Sequence, residues 1–438
     1  MASQQFDPPS GTRDFVAADL RQRERVFHAA RTVFERYGFE PLQTPAFERL
    51  ETLTGKYGDE GDKLIFKILK RGVHEGSGEA DMALRYDQTV PLARVVAAHG
   101  SRLPTPYKRY VIGPVWRADR PGKGRFREFT QCDIDVVGSS SPLVEAEVVC
   151  AGADALDAMG VRDFAILVNS RKALTGLMQV HGVAADRAAG ALITLDKLDK
   201  LPPAEVSAEL VEARGLDRAT AENLVNDVTA DDAVQRMQAV LKDDPDGAEG
   251  LAEIDRLLEL AGPHVGEDRL KFAPNLVRGL DYYTGAIWEV VAPGLPGSIA
   301  SGGRYDHLIK AMGGPDVPAC GFSIGVERII GALGAVDEAA DRIDVAVTVM
   351  SEAFVADAFG FAQALRGAGH TVEIFLGTTR KLGKQLKWAA DRRARYALLQ
   401  GDSEHAEGAV TIRDLETGDQ ERVSVGGLVT ALDHKLRM

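Results

Sequence analysis

Cysteine is almost absent: the chain has three in 438 residues, Cys132, Cys150 and Cys320, with no Cys-x-x-Cys pair and no histidine close by in sequence. That excludes a disulfide framework and offers no pattern for a structural zinc, so the three read as inert, mostly buried thiols. No apolar run reaches the roughly 18 residues a membrane helix needs, and Met1 to Asp14 lacks the apolar core of a signal peptide. A cytoplasmic protein without a membrane segment is expected. Basic residues are outnumbered, 52 against 65, which leaves a formal charge of −13. Phosphate affinity follows local cation density, so this balance argues against indiscriminate nucleic-acid binding and leaves room for one confined basic surface.

What is present is enough for several folded units. At a typical 150 or so residues per domain, the length suggests roughly three. From Gln22 to Tyr37, Val26, Ala29, Ala30, Val33 and Phe34 recur at helical spacing and Gly38 follows as a stop signal, which predicts an amphipathic helix. The segment from Phe39 to Gly61, with Pro41, Pro45 and a glycine-rich end, reads as extended chain and loop that could face a partner. The runs YKRYVIGPVWRA and EFTQCDIDVV, joined by a loop with Pro121, Gly122 and Gly124, predict a long antiparallel hairpin. In the second run Gln131, Asp133 and Asp135 alternate with Cys132, Ile134 and Val136, so the three polar residues share one face, a possible ligand floor.

After about Arg171 the chain becomes rich in Ala, Leu, Asp and Glu, and Leu251, Ile254, Leu257, Leu258 and Ala261 form a helical stripe. These features predict a helical insertion over 171–263 between two parts of an α+β core, 1–170 and 264–334, built on an antiparallel sheet. From Asp344 onward, strand-like runs at Val345–Met350, Thr371–Phe375 and Tyr396–Leu399 alternate with helical sequence, which predicts a small α/β domain over 342–438.

Three constellations carry chemistry. Arg117, Arg120, Lys123, Arg125 and Arg127 cluster around the hairpin loop; guanidinium forks suit a polyphosphate, although a solvated loop with surface ion pairs is equally compatible with this cluster alone. LVRGLDYYTGAIWEV sets Arg278 near adjacent tyrosines, Tyr282 and Tyr283, and is followed by SGGRYDHL; in isolation such blocks are more often core and bends. GFSIGVERII places Arg328 early in a helix after a glycine-bearing strand.

In this order the blocks resemble the class II aminoacyl-tRNA synthetases, and within them the histidine-tRNA ligase family, over nearly the whole chain. YGFEPLQTPAFE is similar to the motif at that class's dimer interface, YKRYVIGPVWRADRPGKGRFREFTQCDIDVVG to its second motif and GFSIGVERI to its third. LVRGLDYY and GGRYD are similar to signatures specific to the histidine enzymes. The resemblance implies a homodimer that uses ATP with Mg²⁺, L-histidine and histidine tRNA as its partners. It implies that Arg117 and Arg278 act at the α-phosphate as the catalytic pair. Histidine would be bound by Asp87, Thr89, Arg117, Gln131, Asp135, Arg278, Tyr282, Tyr283 and Tyr305, and ATP by Arg117, Arg125, Phe129 and Arg328. No residue set for a metal is implied. Gln131 and Asp135 lie four residues apart on one strand face, about 13 Å between backbones, so a histidine fits between them. Gln131 would take the ammonium end, and Asp135 and a tyrosine hydroxyl the two ring nitrogens. Where many bacterial members carry Glu-Gly-Thr, this chain has Asp87, Gln88 and Thr89.

Seven basic residues lie between Arg380 and Arg395 against one acid, Asp391, although residues 341–438 together hold thirteen basic and fourteen acidic side chains. The cation density is local. A solvated helix face would look similar; with Trp388 interleaved and the family's anticodon-binding domain implied here, Lys384, Lys387 and Arg392 are expected to contact tRNA. The rival reading is a non-catalytic regulatory subunit of histidine biosynthesis built on the same core. Such proteins lose the signature arginine and tyrosines and the carboxy-terminal domain, all of which this chain keeps.

Overall fold

A computed structural model describes residues 6–437 apart from 75, 123, 278–281, 296 and 334–342. The chain divides into two units, Met1–Gly334 and Ala335–Met438. In the first unit the strands are β1 (Glu40–Pro41), β2 (Phe47–Arg49), β3 (Lys67–Leu69), β4 (Ala80–Leu84), β5 (Tyr107–Trp116), β6 (Glu128–Val137), β7 (Ala165–Ser170), β8 (Leu270–Phe272), β9 (Ala286–Val291), β10 (Ala300–Arg304) and β11 (Ala319–Gly325). Eight of them make one sheet in the order β1-β5-β6-β11-β10-β9-β7-β8, and β2-β4-β3 make a small second sheet. The six central strands are antiparallel, and only the edge pairs β1–β5 and β7–β8 run parallel.

The alternation in β6 decides which way this sheet faces. Cys132, Ile134 and Val136 enter a core shared with Val26, Ala30, Val33 and Phe34 of the helix Ala17–Arg36, and with the helix Leu143–Met159. Apolar area removed from water on that side, worth about 25 cal/mol per Å², fixes the register, because a slip by one residue would exchange the two faces. Gly152 lets the second helix sit close: a Cβ there would stand 2.6 Å from Phe322 of β11. The opposite face carries Gln131, Asp133 and Asp135.

Between β7 and β8 run six helices, from Arg171–Val180 to Pro245–Val265, with an apolar core of their own. The last of these is shared. Its residues Ile254, Leu257, Ala261 and Val265 belong to the core under the main sheet, so a boundary drawn by composition at residue 263 falls inside a helix. The same helix meets Arg171–Val180 through small residues: a Cβ on Gly250 would lie 2.4 Å from the Ala173 nitrogen, and one on Gly176 2.7 Å from Gly247. The stretch expected to be extended and loop before Gly61 does contain β1 and β2, but also a short helix, Leu50–Leu53, and the start of another, Gly58–Lys63.

The second unit is a five-stranded sheet in the order β13-β12-β14-β15-β16, with β12 (Val345–Val347), β13 (Val372–Ile374), β14 (Tyr396–Leu399), β15 (Ala409–Asp414) and β16 (Gln420–Ser424). The helices Val355–Gly367 and Leu428–Arg437 pack into its core through Phe361, Leu365, Leu428 and Leu432. The first three strands in sequence are legible as apolar runs. β15 and β16 form an antiparallel addition that periodicity does not reveal, and β16 is almost wholly exposed, so it offers no apolar alternation to read.

Candidate active site

Against the polar face of β6 lies a cavity of about 370 Å³. Asp87, Thr89, Arg117, Gln131, Asp135, Tyr282, Tyr283 and Tyr305 all line it, as do Asp133, Asp196, Trp288, Glu289, Ser301, Gly302, Gly321, Phe322 and Ser323. Eight of the nine side chains expected around histidine therefore meet in one place. The ninth, Arg278, lies outside the described residues.

Each lining residue has a local reason for its position. Asp87 precedes the helix Thr89–His99, and its Oδ1 accepts from the Val90 amide at 3.0 Å and from the Tyr57 hydroxyl at 3.1 Å. An aspartate at a helix start satisfies amides that have no partner within the helix. Oδ2, also buried, accepts nothing from the described residues. Burial pushes the Asp87 carboxyl above the usual carboxylate range, while the Val90 amide, Arg117 and Tyr57 pull the other way.

Asp135 is the most heavily tied of the acids. Across the hairpin its register partner on β5 is Arg109, 1% exposed, and the two form an ion pair at 2.6 Å. The Tyr305 hydroxyl donates to the other oxygen, Oδ1. Burial again raises this carboxyl, opposed by Arg109 and Tyr305. On the other neighbour, β11, the register partner is Gly321, where a Cβ would fall 2.1 Å from Asp135 Oδ1. Glycine is needed there to let the carboxylate lean over the strand. The Gly-Gly pair of the signature follows the same logic: a Cβ on Gly302 would fall 2.1 Å from the Gly321 oxygen and 2.4 Å from Trp288 Nε1.

Gln131 donates to Ser323 Oγ at 2.9 Å, and its own Oε1 is buried without a donor among the described residues. Arg117 is held at the cavity by a bond from Nε to the Tyr86 carbonyl at 3.2 Å, with its guanidinium 4.3 Å from the Tyr86 ring centre and 5.2 Å from that of Phe129. Among the described residues its terminal nitrogens make no hydrogen bond, so they are available to an anion. Phe129, expected to touch ATP, thus stands beside Arg117 but does not itself line the cavity.

Arg125 and Arg328 do not line the cavity. Arg125 is exposed and pairs with Asp119 at 2.6 Å. Arg328 opens the helix Val326–Leu333 and donates to the Ser298 carbonyl. Its neighbour Glu327 is fixed by Arg23 at 2.9 Å and by the Thr130 amide at 2.8 Å, which ties that helix both to β6 and to the helix Ala17–Arg36.

Sequence reasoning missed Arg109 and left Asp133 outside the site. A lone arginine inside an apolar strand run, in phase with Val111 and Gly113, was a legible signal for the first. For the second, the shared face with Gln131 and Asp135 was the signal. Asp196 and Glu289 gave none; Asp196 reaches the cavity only because the helical insertion folds over it.

The arrangement combines a buried acidic floor, aromatic walls and a cationic rim. Residues 11–329 match the family model described as histidyl-tRNA synthetase, and residues 344–435 match one described as an anticodon binding domain. The chain belongs to the histidyl-tRNA synthetase family. A relative named histidine–tRNA ligase, from Gloeobacter violaceus, is 40% identical, with 98% of each chain covered. The solved histidyl-tRNA synthetase from Nostoc superposes with a TM-score of 0.80 at 30% identity, covering 99% of this chain and 100% of that one. A Bacillus halodurans structure titled as an ATP phosphoribosyltransferase regulatory subunit/histidyl-tRNA synthetase shares the fold, with a TM-score of 0.74 at 22% identity over 87% of this chain and 96% of that one.

In the second unit the three side chains expected to contact tRNA are all exposed. Lys387 pairs with Asp391 at 3.1 Å and Arg392 with Glu373, while Lys384 has no side-chain partner among the described residues. Exposed pairs of this kind are worth about 0–1 kcal/mol and open readily to a competing phosphate.

Proposed function

We propose that the chain activates L-histidine with ATP, giving histidyl-adenylate and pyrophosphate, and then transfers histidine to the 3′ end of histidine tRNA. The observation that carries this reading is the cavity itself, in which buried acceptors and tyrosine hydroxyls are matched to a small, N–H-rich amino acid and Arg117 stands ready for an anion. The histidine carboxylate would attack the α-phosphorus in line with the departing pyrophosphate, and a terminal ribose hydroxyl of the tRNA would then attack the acyl carbon and release AMP. Such displacements depend on positioning and on charge placed where it develops.

In this reading Arg117 holds the carboxylate and α-phosphate together, and Arg278 acts on the same phosphate from the opposite side. Arg328 covers the adenine, with Arg125 and Phe129 completing the nucleotide site. Mg²⁺ enters as the ATP complex, held by phosphate oxygens, its preferred hard ligands. Asp135 and the tyrosines receive the imidazole. A ligand lacking those nitrogens would leave buried polar groups unpaired, which supports discrimination of roughly 10⁴-fold without editing.

The working form is a homodimer in the cytoplasm, read from the similarity of Tyr37–Glu48 to the class interface motif. No helix among the described residues is long and apolar enough to cross a membrane. The regulatory-subunit reading is disfavoured by Tyr282, Tyr283 and the second unit, all of which are present.

Histidine-dependent ATP–pyrophosphate exchange on the purified chain tests the proposal. Exchange is expected with histidine and with no other standard amino acid, on a preparation whose light-scattering mass is twice 47.1 kDa. Absence of exchange with Mg²⁺ present overturns the enzyme reading, and a monomeric mass overturns the dimer.

A further inference from the structure

The floor of the cavity holds a buried acid that the mechanism above does not use. Asp133 is 2% exposed and lines the cavity between Gln131 and Asp135, yet among the described residues neither of its oxygens has a well-aligned hydrogen-bond donor. Asp135 has Arg109 as an ion-pair partner and the Tyr305 hydroxyl; Asp133 has no ion pair among the described residues, and of the groups that face it only the neutral Ser323 hydroxyl is placed to bond it. Among the described residues, two further buried acceptors of the cavity that have no ion pair are also unmet, Gln131 Oε1 and Asp87 Oδ2. Leaving such an atom unsatisfied is costly, and more so where it is charged, so their convergence on one space points to a ligand that brings several N–H donors.

The charges indicate which end of the ligand belongs there. Three buried carboxylates, Asp87, Asp133 and Asp135, share the floor; of the two buried guanidinium groups beside it, Arg109 is paired to Asp135 and Arg85 donates to the Pro114 and Thr44 carbonyls. Buried charge needs a counter-charge. The imidazole end is served by Asp135 and the tyrosines, which leaves the cation to the other side of the floor. We propose that Asp133 is a specificity-determining residue that receives the α-ammonium of histidine, with Gln131 Oε1 and Asp87 Oδ2 completing the seat. This rests on the functional reading above and refines its ammonium site, which the sequence assigned to Gln131 alone.

A consequence follows for protons. Without a ligand, burial pushes the Asp133 carboxyl up to about 7, with Arg109 drawing it down, Asp135 adding to the rise and Ser323 opposing it. Facing it are Arg109 from β5, Asp135 on its own strand, Arg85 and Asp87 from the segment after β4, Ser323 from β11 and Tyr283. An arriving ammonium favours the carboxylate, so at neutral pH the fraction of Asp133 that carries a proton must release it to solvent.

The test is calorimetry at pH 7 in two buffers of different ionisation enthalpy. It uses the full-length chain and Asp133→Asn, with L-histidine and with 3-(imidazol-4-yl)propanoate, which keeps the ring and carboxylate but has no ammonium. After allowance for the protons that each free ligand carries on its imidazole, histidine should bind the wild type with release of about half a proton beyond that seen with the propanoate, and the variant should show no such excess. Asp133→Asn should weaken histidine about 10- to 100-fold, as for a charged hydrogen bond removed, and change the propanoate less than about 2-fold. Equal weakening of both ligands, or unchanged histidine affinity, overturns the assignment. If the variant fails to fold, the wild-type proton count decides: histidine binding without excess release sinks the proposal. A wild type that binds neither ligand removes the functional reading and this refinement together, an outcome distinct from the others.

Discussion

Residue by residue, the site is built from side chains whose neighbours leave them no choice of position. Arg109 and Asp135 face each other across β5 and β6, and Gly321 opens the third strand so that Asp135 can lean over it. Gly321→Ala should therefore act on the ligand site as well as on packing. The added methyl must displace Asp135 or β11, and overpacking of this kind costs about 1–3 kcal/mol. Denaturant titration should show that drop in stability, and histidine affinity should fall with it by about tenfold or more. Unchanged histidine affinity in a folded variant would mean that Asp135 can move without consequence for the ligand. Gly321 was visible in GFSIG only as a strand glycine; its reason is a carboxylate 186 residues earlier in the chain, at Asp135.

At the scale of elements, the helix carrying Arg328 is placed by interactions that neither end of the chain announces. Glu327 receives Arg23 from the first helix and the amide of Thr130 from β6, and Arg23 also donates to Thr130 Oγ1 at 2.7 Å. The Arg23–Glu327 pair is more than 90% buried on both sides. Removing one member of such a pair strands the other charge, at a cost of about 3–5 kcal/mol. Arg23→Met should thus lower stability by that order and raise the KM for ATP in exchange, since Arg328 starts from the displaced helix. Adding Glu327→Met should restore much of the stability, because no buried charge is then left alone. Equal ATP dependence in wild type and Arg23→Met would separate helix placement from the nucleotide site. The hairpin β5–β6 was legible from alternation and turn residues, and so was the order of strand and helix around Arg328. This triangle was not, since its corners are 107 and 197 residues apart.

For the whole molecule, the two units should divide the labour. The cavity lies wholly in the first, and the exposed cations of the helix Leu382–Asp391 lie in the second. Lys384→Glu with Lys387→Glu should leave histidine-dependent exchange unchanged and weaken tRNA charging. The remaining charging should depend less steeply on salt, by about 0.7 to 0.9 of a log–log unit for each phosphate that is no longer neutralised. The tRNA dependence of charging at two salt concentrations, run beside exchange, checks this. A parallel fall in exchange would show that the run supports the catalytic unit. No change in either would reduce it to a solvated face, with Lys387 and Asp391 as an ordinary surface pair.

The sequence by itself determined the local events: the long hairpin with its polar face, the helical stretch after Arg171 and the three apolar strands of the second unit. These depend on periodicity and turn chemistry within a few residues, which a linear reading can see. Tertiary structure alone decided which acids on that face are paired. Asp133 and Asp135 look alike along the chain, two residues apart on one face. They differ because Arg109 lies across from one and Val111 across from the other, and because the Tyr305 hydroxyl reaches Asp135. Pairing across strands, and with it the charge left over for a ligand, is a property of register, and register is set by burial of the opposite face rather than by the polar residues themselves.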